Sequence, residues 1–242
     1  MLTFSGTGSA FYSQLGNTGA FIKKGRELFL IDCGSSTFAK LQSSSLLKDI
    51  DHIYVLMTHL HPDHAGSLGD LVFYGYYAMG TIGQPSVTVM APSGIEVRSF
   101  LRSTGVISDF YSYIELDTHK PTTTPSKQLP VAIETVSVQH VPYLTCFGYV
   151  LSFEGESVYY SGDSNMIPTN ILERFLDGEF THFYQDTCLA EYPGNVHFPL
   201  SALEAAIPLR LRERVTCMHL DTNELVAKAE ALGFRVAIAA RL

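Results

Sequence analysis

The stretch Ile53-Tyr54-Val55-Leu56-Met57-Thr58-His59-Leu60-His61-Pro62-Asp63-His64 decides how this chain reads. Its first five residues are apolar and mostly β-favouring, which predicts a buried strand. The strand ends abruptly in His59, His61, Asp63 and His64. A single histidine at a strand end reads as a structural, hydrogen-bonded residue. Four ligand-type side chains crowded together are costly polar groups unless something charged holds them. Nitrogen and oxygen donors in this mixture suit Zn²⁺, with Mn²⁺ and Fe as second choices. A metal site is the first expectation.

Such a cluster needs further ligands, and other strand ends are where they are expected. His140 follows the alternating segment 131–138, and Asp163 follows Val158-Tyr159-Tyr160-Ser161-Gly162. His219 ends Val215-Thr216-Cys217-Met218. Taken singly, Asp163 reads as a turn residue and the two histidines as satisfied polar groups. Following a cluster that lacks ligands, the three read as its completion. His52, His119 and His182 read as structural or surface residues.

Around these positions the pattern predicts strands at 2–5, 20–24, 27–32, 50–57, 86–90, 131–138, 147–153, 157–161, 180–185, 215–219 and 235–239. Helices are predicted at 35–47, 65–79, 170–176, 199–207 and 223–232, with another ending near Arg102. A Pro- and Thr-bearing segment, 119–130, reads as loop. The aromatic stripe Phe73, Tyr74, Tyr76 and Tyr77 reads as packing or a subunit contact. The economical architecture is α+β, two sheets face to face with helices outside, as one domain over residues 1–242.

Composition narrows the function. With 16 Lys and Arg against 24 Asp and Glu, the net charge of −8 disfavours stable, salt-sensitive binding to nucleic-acid backbone. It leaves room for a small anionic substrate, because bound metal ions bring positive charge locally. Cys33, Cys146, Cys188 and Cys217 are scattered without a CxxC pair, as expected of free thiols in a reducing compartment. The first residues show no basic-then-apolar leader, and no apolar run approaches a membrane span. A cytoplasmic protein with no membrane contact is expected.

His59-x-His61-x-Asp63-His64 followed by His140, Asp163 and His219 resembles the full ligand set of the metallo-β-lactamase superfamily. The turn Gly6-Thr7-Gly8-Ser9 and the strand end Asp32-Cys33-Gly34 also match its pattern, so the resemblance covers nearly the whole chain. It implies an αββα sandwich with metals at one edge of the sheets. It further implies that His59, His61 and His140 hold a first divalent ion, that Asp63, His64 and His219 hold a second, and that Asp163 bridges them. Two such ions roughly 3.5–4 Å apart supply a nucleophilic hydroxide and stabilise both oxygens of an in-line displacement. Asp63 is placed to orient that hydroxide or take its proton.

The surroundings choose a branch. Glyoxalase-like and oxygenase branches typically carry Gly-His-Thr-Pro-Gly at the third ligand. Here the run is Val138-Gln139-His140-Val141-Pro142, later followed by Phe147-Gly148-Tyr149-Val150-Leu151. That is similar to ribonuclease Z and the small cyclic phosphodiesterases related to it. Tyr184-Gln185-Asp186-Thr187 and His197-Phe198-Pro199-Leu200-Ser201 likewise resemble the acidic residue and non-ligand histidine of ribonuclease Z. In that reading Asp186 fixes and charges His197, which donates a proton to the leaving oxygen. The segment between His140 and Asp163 has room for one hairpin and none for a tRNA-gripping arm, which puts tRNA processing in doubt.

Compact, arm-less enzymes of this kind include the cyclic phosphodiesterase of phosphonate catabolism and the anti-Pycsar family, which hydrolyses cyclic mononucleotides and so counters cyclic-nucleotide antiviral signalling. The phosphonate enzyme's N-terminal cysteine-rich knuckle has no counterpart, since residues 10–30 contain no Cys. The expectation is a homodimeric phosphodiesterase acting on a small anionic nucleotide, with two divalent metal ions, Zn²⁺ or else Mn²⁺. Gly8 and Ser9 are expected near the phosphate, and Tyr143 or Tyr192 near the base. Three competitors stay open: ribonuclease Z-like RNA 3′-end processing, non-hydrolytic nucleotide sequestration, and lactamase or lactonase activity.

Overall fold

The computed structural model describes residues 1–242, the Ser13 side chain excepted. One sheet contains β1 (Thr3–Gly6), β2 (Gly19–Lys24), β3 (Glu27–Ile31), β4 (His52–Leu56), β5 (Val87–Pro92) and β6 (Ser112–Leu116), in that spatial order. The other contains β7 (Thr122–Thr123), β8 (Ala132–Val138), β9 (Cys146–Phe153), β10 (Glu156–Tyr160), β11 (His182–Asp186), β12 (Val215–Met218) and β13 (Arg235–Val236), again in sequence order. Each sheet begins with antiparallel hairpins and continues as parallel strands. Parallel strands need crossovers, and the helices supply most of them: α1 (Thr37–Ser43), α2 (Pro62–Ala65), α3 (Leu68–Tyr77), α4 (Val97–Ser103), α5 (Thr169–Leu176), α6 (Leu200–Ala206) and α7 (Asn223–Ala231).

Period-2 side-chain alternation distributes one strand over two cores. Val158 and Tyr160 of β10 join Phe29, Tyr149 and Leu151 between the sheets, whereas Tyr159 faces Phe175, Phe180 and Phe183 beneath the helices. Burial on both faces explains why these strands read as unbroken apolar runs. Each such side chain contributes about 1.5–3 kcal/mol relative to exposure. All four cysteines are buried and free. Among the described residues no helix is long and apolar enough to cross a membrane.

The structure corrects the sequence reading at several places. β6 escapes the pattern because it is a partly exposed edge strand of mixed polarity. The 119–130 loop contains the short β7, paired to Ile133 and Ala132 of β8 at the sheet edge, where Pro-flanked strands are tolerated. The predicted 35–47 helix stops at Ser43, where Ser44 Oγ caps the Leu41 carbonyl at 2.7 Å. The expected strand 235–239 pairs in the second sheet only as far as Val236; Ala239 then bridges to Phe4, and Ala240 N–H donates to the Phe4 carbonyl. The chain end thus ties the two sheets together.

Candidate metal centre

β4 ends against the start of α2, and His61 occupies the cap position with Pro62 at the first helical residue. Proline is tolerated there because its missing N–H would have no partner. The four-residue helix is held from outside. Cys33 N–H donates to the His64 carbonyl at 2.7 Å and Ser35 N–H to the Pro62 carbonyl at 3.0 Å. Between them Gly34 lies so close that an added Cβ would sit 1.9 Å from the Asp63 carbonyl oxygen. Gly34→Ala should push the ligand turn outward, costing about 1–3 kcal/mol in denaturant melts and lowering bound metal. A full metal complement in that variant would contradict the argument.

Seven predicted ligands converge in two groups of four donors, His59/His61/His140/Asp163 and Asp63/His64/His219/Asp163, with Asp163 common to both. In the first group His59 Nε2 and His140 Nε2 each lie 3.1 Å from His61 Nδ1. That is close to the edge of a tetrahedron around Zn²⁺, about 3.3 Å for bonds of about 2.0–2.1 Å. In the second, His219 Nε2 is 3.2 Å and His64 Nε2 3.4 Å from Asp63 Oδ2. Asp163 Oδ1 is 3.1 Å from His64 Nε2, and its Oδ2 is 3.4 Å from His219 Nε2 and 3.8 Å from His140 Nε2.

Hydrogen bonds behind the rings set which nitrogen faces the centre. His140 Nδ1–H donates to the Val196 carbonyl at 2.8 Å, leaving the Nε2 lone pair inward. Asp32 does the same for two more rings. Its Oδ2 accepts from His64 Nδ1–H at 2.8 Å and from Thr58 Oγ1 at 2.7 Å, and the Thr58 hydroxyl in turn accepts from His59 Nδ1–H at 3.0 Å. Such partners fix tautomer and orientation. Both Asp32 and His219 adopt left-handed backbone, φ 62° and 60°, a conformation more accessible to Asp and His than to most residues. The sequence marks Asp32 only as part of a strand end, Asp32-Cys33-Gly34, that matches the superfamily pattern; nothing there links it to Thr58 and His64.

The donor set fits divalent cations. His64 Nε2 is buried without a hydrogen-bond partner. Every ion-pair partner of Asp63, Asp163 and Asp186 among the described residues is an imidazole. Burial alone would raise Asp63, yet a hydrogen bond from His219 and the charge of His64 hold it well below the usual carboxylate range. Burial also opposes charging of His219, but the surrounding carboxylates, Asp163 foremost, push it up to about 10. His64 is raised well above its ordinary value by the same balance, whereas burial holds His59 well below it.

A raised folded-state value gives stability that is complete below the unfolded value, 6.5 for His, and is lost as pH rises through the folded value. Metal-free protein should therefore lose thermal stability from pH 6.5 towards about 10. Metal-loaded protein, whose ligands shed those protons on binding, should lose it on the acid side instead. Melting curves with and without chelator check this; identical pH profiles would contradict a metal-holding cluster.

Asp186 and His197 meet as predicted, with His197 Nδ1 2.7 Å from Asp186 Oδ2. Asp186 is fully buried and also accepts from Ser164 N–H at 2.9 Å; its other oxygen lies 3.5 Å from His219 Nδ1. Burial lowers His197, but the Asp186 charge and hydrogen bond outweigh it and raise the imidazole above its ordinary value. A cavity of about 580 Å³ opens over the centre, floored by His61, Asp63, His140 and His219 and walled by Phe11, Tyr143 and His197. That volume suits a small molecule. A hollow of about 610 Å³ beside Arg98 and Arg102 is lined by no histidine or cysteine, so size alone does not mark the site.

Other expectations fare differently. Tyr143 lines the cavity, whereas Tyr192 does not, and Phe11, unread in the sequence, is 98% exposed at the rim. Gly8 N–H bonds the Gly16 carbonyl and Ser9 N–H the Leu220 carbonyl, so neither backbone amide is free for a phosphate, and neither residue lines the cavity. His52 bonds Thr88, remote from the centre.

Residues 1–238 match the family described as anti-Pycsar protein Apyc1. The protein of that name from Bacillus phage BSP38 is 28% identical over 232 residues, covering 90% of this chain and 88% of its own. Among solved structures, the metallo-β-lactamase fold protein YhfI of Bacillus subtilis superposes with a TM-score of 0.74 at 18% identity, covering 98% of this chain and 95% of its own. The short form of human tRNase Z gives 0.68 at 20% identity, covering 98% and 95%. The fold is that of the metallo-β-lactamase superfamily.

Proposed function

We propose, because this chain belongs to the anti-Pycsar protein Apyc1 family, that it is a two-metal phosphodiesterase hydrolysing 3′,5′-cyclic mononucleotides to linear monophosphates. Such an activity would counter signalling that relies on a cyclic nucleotide. The observation that carries the reading is one cavity over two donor groups joined through Asp163, with His197 on its wall and Asp186 buried behind it. His59, His61, His140 and Asp163 would hold one ion, and Asp63, His64, His219 and Asp163 the other. Zn²⁺ is the expected metal and Mn²⁺ the second choice. When bound, such a pair supplies a hydroxide at neutral pH and neutralises phosphoryl charge.

The chain's own residues do the rest. Asp63, a carboxylate of the second donor group, would orient the nucleophile and take its proton. Asp186 keeps the proton of His197 Nδ1 in place and stabilises the charged ring, so that Nε2–H can be given to the departing ribose oxygen. A homodimer belongs to the same proposal and is read by light scattering. The deciding experiment incubates metal-loaded protein with cyclic mononucleotides, linear diesters and precursor tRNA, under Zn²⁺ and under Mn²⁺, and reads products by mass. Linear mononucleotides from the cyclic substrates are expected. Cleaved tRNA with inert cyclic nucleotides would replace the proposal by RNA processing, and ligand recovered unchanged would replace it by sequestration.

A further inference from the structure

The 188–199 segment between β11 and α6 closes on itself. Cys188 N–H donates to the Phe198 carbonyl at 3.0 Å, and Leu200 N–H to the Cys188 carbonyl at 2.9 Å. Two consecutive residues near this closure reach the centre by different groups. Val196 gives its carbonyl to His140, at 2.8 Å, and His197 gives its ring to Asp186, at 2.7 Å. The tip, Glu191-Tyr192-Pro193-Gly194, is exposed and buries little, so packing alone does not hold this segment.

Asn195 supplies the missing constraint. Its Oδ1 accepts from His197 N–H at 3.2 Å, and its Nδ2 donates to the Ala190 carbonyl at 2.7 Å. Its own carbonyl accepts from Asn165 Nδ2 at 3.1 Å, while Asn165 N–H donates to the carbonyl of Gln139, the residue before His140. The loop bearing His140 and the loop bearing His197 are thus cross-linked through two asparagines. Asn195 itself does not line the cavity.

We propose that Asn195 is a positioning residue that fixes, through one short segment, both the metal-facing nitrogen of His140 and the seat of His197. The part concerning His197 rests on its role as proton donor; the part concerning His140 does not. Without the Asn195 side chain, Val196 and His197 lose their common anchor. His140 is then free to turn its protonated nitrogen inward, and His197 to leave Asp186.

The test compares full-length protein with its Asn195→Ala variant in two assays. Chelator competition reads zinc affinity, which should fall about tenfold, as for other groups that orient a metal ligand. Turnover is read on a 3′,5′-cyclic mononucleotide and on bis(p-nitrophenyl) phosphate, whose phenolate departs without needing a proton. The cyclic substrate should lose at least about tenfold more than the aryl diester, because only its leaving alkoxide needs His197. Unchanged zinc affinity, or equal loss on both diesters, would overturn the proposal. Should the variant melt far below the parent, Asn195→Asp, which keeps an acceptor for His197 N–H, must bring zinc affinity and the ratio between the two diesters back towards the parent's, and failure to restore either would overturn the proposal. A parent protein inert to every cyclic nucleotide would sink the phosphodiesterase reading, and zinc affinity alone would then decide the role of Asn195.

Discussion

Replacing Asp163 by asparagine should strip the protein of most of its bound metal and reduce turnover by more than about a thousandfold. Asp163 is the one residue common to both donor groups. Its two oxygens face different partners, Oδ1 towards His64 and Oδ2 towards His219, His140 and His59. An amide of the same shape keeps one oxygen and turns an NH₂ towards the other side. At least one group then loses its oxygen donor from this residue, and both lose its negative charge. Burial raises the Asp163 carboxyl, but the charges of His219 and His64 hold it well below its ordinary range, so the loss removes a full negative charge from a buried cluster. Elemental analysis beside steady-state kinetics reads both effects. A variant with its full metal complement and near-parental turnover would show that the two groups do not share this residue functionally.

His197→Ala should lower turnover on cyclic nucleotides by about 10²–10⁴-fold, the usual range for a general acid, while leaving metal content unchanged. The contrast with Asp163 follows from position. His197 faces Asp186 at 2.7 Å and its ring stacks on His219 with centroids 4.7 Å apart. The Val196 carbonyl that holds His140 belongs to the backbone and survives the substitution. Loss should be much smaller on an aryl phosphodiester. Loss of metal from this variant, or an equal drop on both substrates, would refute the assignment as proton donor.

Much of this centre was legible from residue types alone, and particular residues show why. His59, His61, Asp63 and His64 lie within two turns' length of chain, so local geometry by itself brings them together. His140, Asp163 and His219 each end a run that reads as a strand. Parallel strands of one sheet finish at one edge, where β10 and β12 deliver Asp163 and His219. The αββα layering followed from apolar runs buried on both faces. β6 and β7 did not, because an edge strand is half-solvated and its pattern carries little signal.

What the chain determined unaided is therefore which side chains can bind a cation and which strand ends carry them, since both follow from chemistry and short-range periodicity. Tertiary structure alone decided which ring nitrogen faces inward, because that rests on Asp32, Thr58 and the Val196 carbonyl. It also decided that Asn195 and Asn165 would tie two loops together, and that Ala239 would return to β1. Hydrogen-bond partners of this kind lie far apart in sequence. Their direction is fixed only when the packed sheets hold both ends in place, and no periodicity in the chain encodes it.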